Sequence, residues 1–214
     1  GLVYRTDKVP DFDASWASVL DPRRQPGPVV LLDSMRDLMA AVLLWKGHSP
    51  NTRLPAELAD AGDALAGART DNLVGFYGSP DSVDKVVAGD AWAAIAYNGD
   101  ALIKLDDDTD FVLPEEGTIV WVDALTIPEG ARNPEAAQRF INFLLDGEVG
   151  AQLSNYLSYA TPNEASLPLI EEEVRSDPRV YPSEEELAKA VMLEDVEEAT
   201  TLYDQIWTRI KAGP

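Results

Sequence analysis

The chain has 214 residues, enough for one large domain or two small ones with a real core. Lys and Arg number 17 against 38 Asp and Glu, a formal charge of −21, which sets the surface against nucleic acid and anionic membranes and admits a cationic ligand. There is no cysteine and one histidine, His48 in the turn-like "WKGHSPN", so disulfides, thiolate or histidine metal clusters and Ser-His-Asp or cysteine catalysis have no material to build from.

Hydrophobic residues make up 45% and charged residues 26%, a globular composition whose acidic excess reads first as a solvated shell. No run approaches the ~18 uninterrupted apolar residues of a transmembrane helix. The chain opens on "GLVYRTDKVP" with no signal peptide in view, and reads as the interior of a longer protein.

Taken in order, Ser15 caps a short helix that stops near Asp21-Pro22. Residues 27–33 ("GPVVLLD") form a short apolar strand. Asp33 or Ser34 then caps a helix with Leu38, Met39, Val42 and Leu43 on one stripe and Gly47 as its stop. A second helix follows in "LPAELADAGDALAGA". Residues 72–78 are a strand, 79–90 a helix with Pro80 in its first turn, and "AWAAIAYNGDALIKL" passes from strand to short helix at Asn98-Gly99. "DFVLPEEG" is a strand. In "EEGTIVWVDALTIP" the alternation predicts another, with Ile119, Trp121, Asp123 and Leu125 on one face. This alternation argues for an α/β layer.

Beyond it the chain turns helical. Asn133 and Pro134 open a helix with Ala137, Phe140, Ile141, Leu144 and Leu145 at helical spacing, and "GEVGAQLSNYLSY" predicts another. "ATPNEASLP" is a turn and short helix. Ser183 with Glu186 makes a capping box, and Ala199, Leu202, Tyr203, Ile206, Trp207 and Ile210 stripe the last helix. The acidic run 106–110 is too irregular for an EF-hand calcium loop.

No Gly-x-Ser-x-Gly, Walker or dinucleotide-binding loop occurs, which argues against an enzyme; paired carboxylates leave a carboxylate-dependent hydrolase as an alternative, but among 38 acids close pairs arise by chance. What remains is aromatic plus acidic: Trp121 and Asp123, Tyr97 and Asp100, Asp33 and Asp37, and Tyr159, each at a strand end or turn, where α/β proteins build ligand sites. Singly, each has a structural explanation: a core aromatic, a turn acid, a helix cap, a solvated face. Together, rings worth ~0.5–2 kcal/mol each to a cation and carboxylates worth roughly 1.5–3 kcal/mol each to an ammonium sum to about micromolar binding.

Those residues carry a resemblance. "SWASVLDP", "VVLLDSMRDLMAAVLLWKGHSPNT", "YNGDA", the stretch from "LPEEGTIVWVDALTIP" through "LSYATPNEAS", and "LYDQIWTRIKAG" are collinear with, and similar to, the bacterial spermidine/putrescine-binding proteins of ABC transporters. The resemblance implies a type II periplasmic-binding-protein fold whose two lobes close on a polyamine and deliver it to a membrane permease. It implies no cofactor, no metal and a periplasmic or extracellular location, with a lipoprotein anchor open to the full-length protein.

By the same resemblance Trp121 and Asp123 form the ring-plus-carboxylate pair, Tyr97 and Tyr159 wall the methylenes, and Asp37 stands where a Glu is typical. Ser34 occupies the place of an expected acid, which Asp33 compensates or merely neighbours, and Leu193 stands where a glutamine can occur; a shorter diamine or another organic cation is therefore open. A receptor for an iron-bearing solute, with Tyr97 and Tyr159 as phenolate ligands, is the runner-up. The resemblance also assigns residues 1–121 with 168–214 to the second lobe and 122–167 to the first, most of which (roughly a hundred residues) has no counterpart here. On that expectation the chain is one lobe plus part of another, binds weakly or not at all alone, and exposes apolar surface that favours a dimer, a swapped arrangement or a rearrangement of these helices.

Overall fold

Period-two alternation decides the two faces of the central sheet. The structure, a computed structural model, describes residues 1–213. Strands β1 (Leu2–Arg5), β2 (Val29–Leu32), β3 (Leu73–Tyr77), β4 (Ala93–Ile95) and β5 (Thr109–Val112) form one sheet in the order β3-β2-β4-β1-β5. β2 runs parallel to β3 and β4; β1 is antiparallel to both of its neighbours, β4 and β5. Leu2, Val29, Leu31, Ala93 and Ile95 point to one side, and Val3, Val30, Ala94 and Phe111 to the other, as alternate residues of a strand must.

Each face is covered by helices. The first packs against α1 (Ala17–Leu20), α2 (Met35–Trp45), α3 (Pro55–Gly67) and α10 (Thr200–Ala212). The second packs against α4 (Ser79–Val87) and α5 (Asn98–Leu102). The stripe expected on the last helix is the one that buries: Tyr203, Ile206 and Ile210 reach the core, and the Tyr203 hydroxyl donates to the Thr52 carbonyl at 3.0 Å. The α/β expectation holds, with helices covering both faces of the sheet.

The predicted strand over 119–125 needs correction. Only Ile119–Val120 (β6) enters a ladder, pairing in parallel with β7 (Val191–Met192), a strand the sequence did not reveal. From Trp121 onward the chain has no strand partner and is exposed through Thr126. The approach to β6 is pinned instead: Trp16 Nε1 donates to the Gly117 carbonyl at 2.9 Å and Ser15 Oγ to Glu116 Oε1 at 2.5 Å. Gly117 has φ +108, and the Lys189 carbonyl would lie 2.4 Å from any Cβ there, so only glycine lets the two segments approach.

After β6 come α6 (Pro134–Leu144), capped by Asn133 as expected, and α7 (Gly147–Leu157), capped by Asp146. The apolar stripe of α6 finds no core: Phe140 and Phe143 remain 57% and 56% exposed. Two short helices, α8 (Glu172–Arg175) and α9 (Glu184–Leu187), the latter with the expected Ser183–Glu186 capping box, lead back to β7.

Candidate functional site

Four chain breaks converge at one end of the sheet. β2 ends at Leu32, and the following turn delivers Ser34 and Asp37 in the first turn of α2. β4 ends at Ile95 and delivers Tyr97, the N-cap residue of α5. β6 ends at Val120 and delivers Trp121. α7 is terminated by Ser158 in the left-handed conformation (φ 53°), which redirects the chain at Tyr159.

The three rings meet. Tyr97 and Trp121 lie 4.8 Å apart between centroids at 52°, and Trp121 and Tyr159 lie 6.0 Å apart, edge to face at 75°. Trp121 is 43% exposed, so the wall leaves much of the indole open to solvent. Behind it, Tyr97 Oη donates to Asp37 Oδ2 at 2.8 Å, and Ser34 Oγ donates to the same oxygen. Ser34 holds the N-cap position of α2 as expected, but its hydroxyl is turned to Asp37 rather than to the helix backbone. Tyr97 N–H donates to Ser79 Oγ at 2.8 Å, and Asn98 Nδ2 to the Arg179 carbonyl at 3.0 Å, which brace the turn that carries Tyr97.

The field at the wall is negative. Burial, then the charge of Asp37, pushes the Tyr97 phenol well above its ordinary value. Burial and the Asp100 carboxylate push Tyr159 up to about 12, with Asp123 contributing in the same direction. Both shifts disfavour the phenolate form, and Tyr97 is held as a donor to a carboxylate.

Five of the seven residues singled out from sequence, Tyr97, Trp121, Tyr159, Asp37 and Ser34, are joined by direct contacts, and Asp123 is exposed within electrostatic reach of Tyr159. Asp33 is engaged differently: its carboxylate pairs with Lys211 Nζ at 2.8 Å, and that ammonium stacks over Phe76 and Trp207. Sequence reasoning missed Ser79 and Arg179, whose partners lie far along the chain; for Ser79 the Pro80 at a helix start marked only the helix. Two open depressions of about 610 and 700 Å³ run along α6 and the α6–α7 turn; they contain none of these residues. Among the described residues no acid–histidine cluster could hold a metal ion.

Residues 1–182 match the family model described as bacterial extracellular solute-binding protein. The chain belongs to that family. Its relatives include the spermidine/putrescine-binding periplasmic protein of Escherichia coli (strain K12), 32% identical over 206 residues, a match covering 95% of this chain and 58% of that protein. Among solved structures, a Listeria monocytogenes protein assigned to spermidine/putrescine ABC transport is similar with a TM-score of 0.88 at 30% identity, and PotD of Streptococcus pneumoniae, a spermidine/putrescine ABC transporter substrate-binding protein, with 0.83 at 25%; each match covers 99% of this chain and 66% of the other. The chain thus spans somewhat less than two thirds of these family members. The resemblance drawn from sequence and the periplasmic-binding-protein fold it implied both hold.

Proposed function

We propose that this chain carries one wall of the pocket of an extracytoplasmic solute receptor that captures a polyamine of the putrescine/spermidine class and hands it to an ABC permease. The carrying observation is the Tyr97–Trp121–Tyr159 wall with Asp37 bonded behind it. A polyamine is a greasy rod with cationic ends. Its methylenes lie on the rings, and its ammonium groups find Asp37, Asp123 and Asp100; each ring contributes ~0.5–2 kcal/mol to a cation and each charged hydrogen bond roughly 1.5–3 kcal/mol. The relative named for spermidine and putrescine supports the solute class. With Ser34 in place of an acid and Asp33 paired to Lys211, this end of the site offers one carboxylate, which suits a shorter diamine.

In this reading residues 1–121 with 168–214 make one lobe and 122–167 belong to the other. The chain works by binding rather than turnover, on the outer side of the membrane. An iron-bearing solute is less well served, because burial and neighbouring carboxylates raise both phenols and disfavour the phenolate form that would ligate iron. The exposed apolar face of α6 and α7 is where a second copy of the chain would pack.

Calorimetry with putrescine and spermidine tests the reading. One open wall gives saturable but weak binding, about millimolar or ~4 kcal/mol, weakened about two- to thirtyfold in Trp121→Ala. Absence of saturable binding by the folded chain to either amine overturns it.

A further inference from the structure

We infer that Gly99 is a positioning residue for the solute wall: the missing side chain there is what allows the Tyr159 ring to lie against the first turn of α5 and stand beside Trp121. Its functional meaning rests on the polyamine reading above; the placement rests on geometry alone.

Gly99 is buried, and a Cβ built on it would stand 2.4 Å from Cε2 and 2.5 Å from both Cδ2 and Cζ of Tyr159. Cβ atoms essentially never come within 3.0 Å of another heavy atom, so something must move. The turn does not retreat freely. Tyr97 N–H is held by Ser79, the Asn98 amide by the Arg179 carbonyl, and Ala101 N–H by the Tyr97 carbonyl at 3.1 Å. The Tyr159 backbone is also held, because its carbonyl accepts from Ser154 Oγ. The ring is what gives, and it gives by leaving the wall. Gly99 lies in helical conformation inside α5, where alanine suits the backbone better than glycine does. Any penalty of Gly99→Ala therefore comes from the ring and not from the helix. The wall is set by two separate devices: a hydrogen bond from Tyr97 to Asp37, and an absent side chain under Tyr159.

Two readouts test this. The first needs no ligand: nuclear Overhauser contacts between the Tyr159 and Trp121 rings are lost in Gly99→Ala, while those between Tyr97 and Trp121 persist. The second is a double-mutant cycle on putrescine affinity. Gly99→Ala weakens binding by about two- to thirtyfold, the worth of one ring, and has no further effect when Tyr159 is already alanine. Retention of the Tyr159–Trp121 contacts in Gly99→Ala overturns the inference, as does an equal loss of affinity in the Tyr159→Ala background. If Gly99→Ala does not fold, Gly99→Ala/Tyr159→Ala folds under the inference, and its failure to fold overturns it. If the wild-type chain does not bind putrescine, the polyamine reading falls and the ring contacts alone decide the role of Gly99.

Discussion

Tyr97 donates its phenolic proton to Asp37 at 2.8 Å, across 60 residues of sequence. The bond joins the turn after β2 to the turn after β4, two breaks on adjacent parallel strands, and it orients the Tyr97 ring toward Trp121. With Ser34 on the same oxygen, Asp37 Oδ2 is occupied and Oδ1 is the atom left for an ammonium group.

Asp37→Asn removes that charge while keeping an oxygen that can accept from Tyr97 and Ser34. Putrescine affinity is expected to fall by about ten- to a hundredfold, the worth of one charge-assisted hydrogen bond. Calorimetry beside an unchanged circular dichroism spectrum checks it; unaltered affinity would remove Asp37 from the site.

Two tryptophans separate binding from folding. Trp16 is 1% exposed and packs in the core, so Trp16→Ala should cost about 3–5 kcal/mol in urea unfolding. Trp121 is 43% exposed, so Trp121→Ala should cost far less stability and instead weaken amine binding by about two- to thirtyfold. Equal destabilisation by the two would mean that Trp121 is a core residue after all.

Alkali should act in part through Tyr159. Its phenol is raised from 10.0 to about 12, so between those values the unfolded chain loses a proton that the folded chain keeps. Stability is fully present below pH 10 and declines as pH rises toward about 12. The loss is about 1 kcal/mol after solvent screening of a half-buried group. Urea midpoints of wild type and Tyr159→Phe, compared at about pH 9 and about pH 11, should diverge with the phenylalanine variant falling less.

Phe140, Phe143 and Leu145 expose 57%, 56% and 63% of their surface along α6 and the turn that follows it. That patch should drive self-association, opposed by the charge of −21 on each copy. Added salt screens the repulsion, so sedimentation should show more dimer as ionic strength rises. Phe143→Glu should return the chain to monomer; a monomer at every salt concentration would show that the patch drives no self-association.

Helix limits were legible because their signals are local. Asn133 before Pro134, the Ser183–Glu186 box and the α10 stripe all appear where spacing placed them. Trp121 was harder. Its alternation is that of a strand, but a strand needs a partner, and β7 runs out at Met192, so Trp121 emerges unpaired and exposed instead of half-buried. Asp33 could be read from its place after β2 as a site acid or as a cap; its pairing with Lys211 depends on the approach of α10, which no local pattern carries.

The sequence by itself determined the α/β alternation, the helix caps, the excess of acids and the aromatic residues at the element ends, because each depends on neighbours within a turn or on composition. Only the tertiary structure decided which ring touches which, which carboxylate is free, and that Gly99 must lack a side chain. Those facts depend on the closing of one sheet, which brings turns far apart in the chain to the same edge, and no periodicity encodes the distance between them.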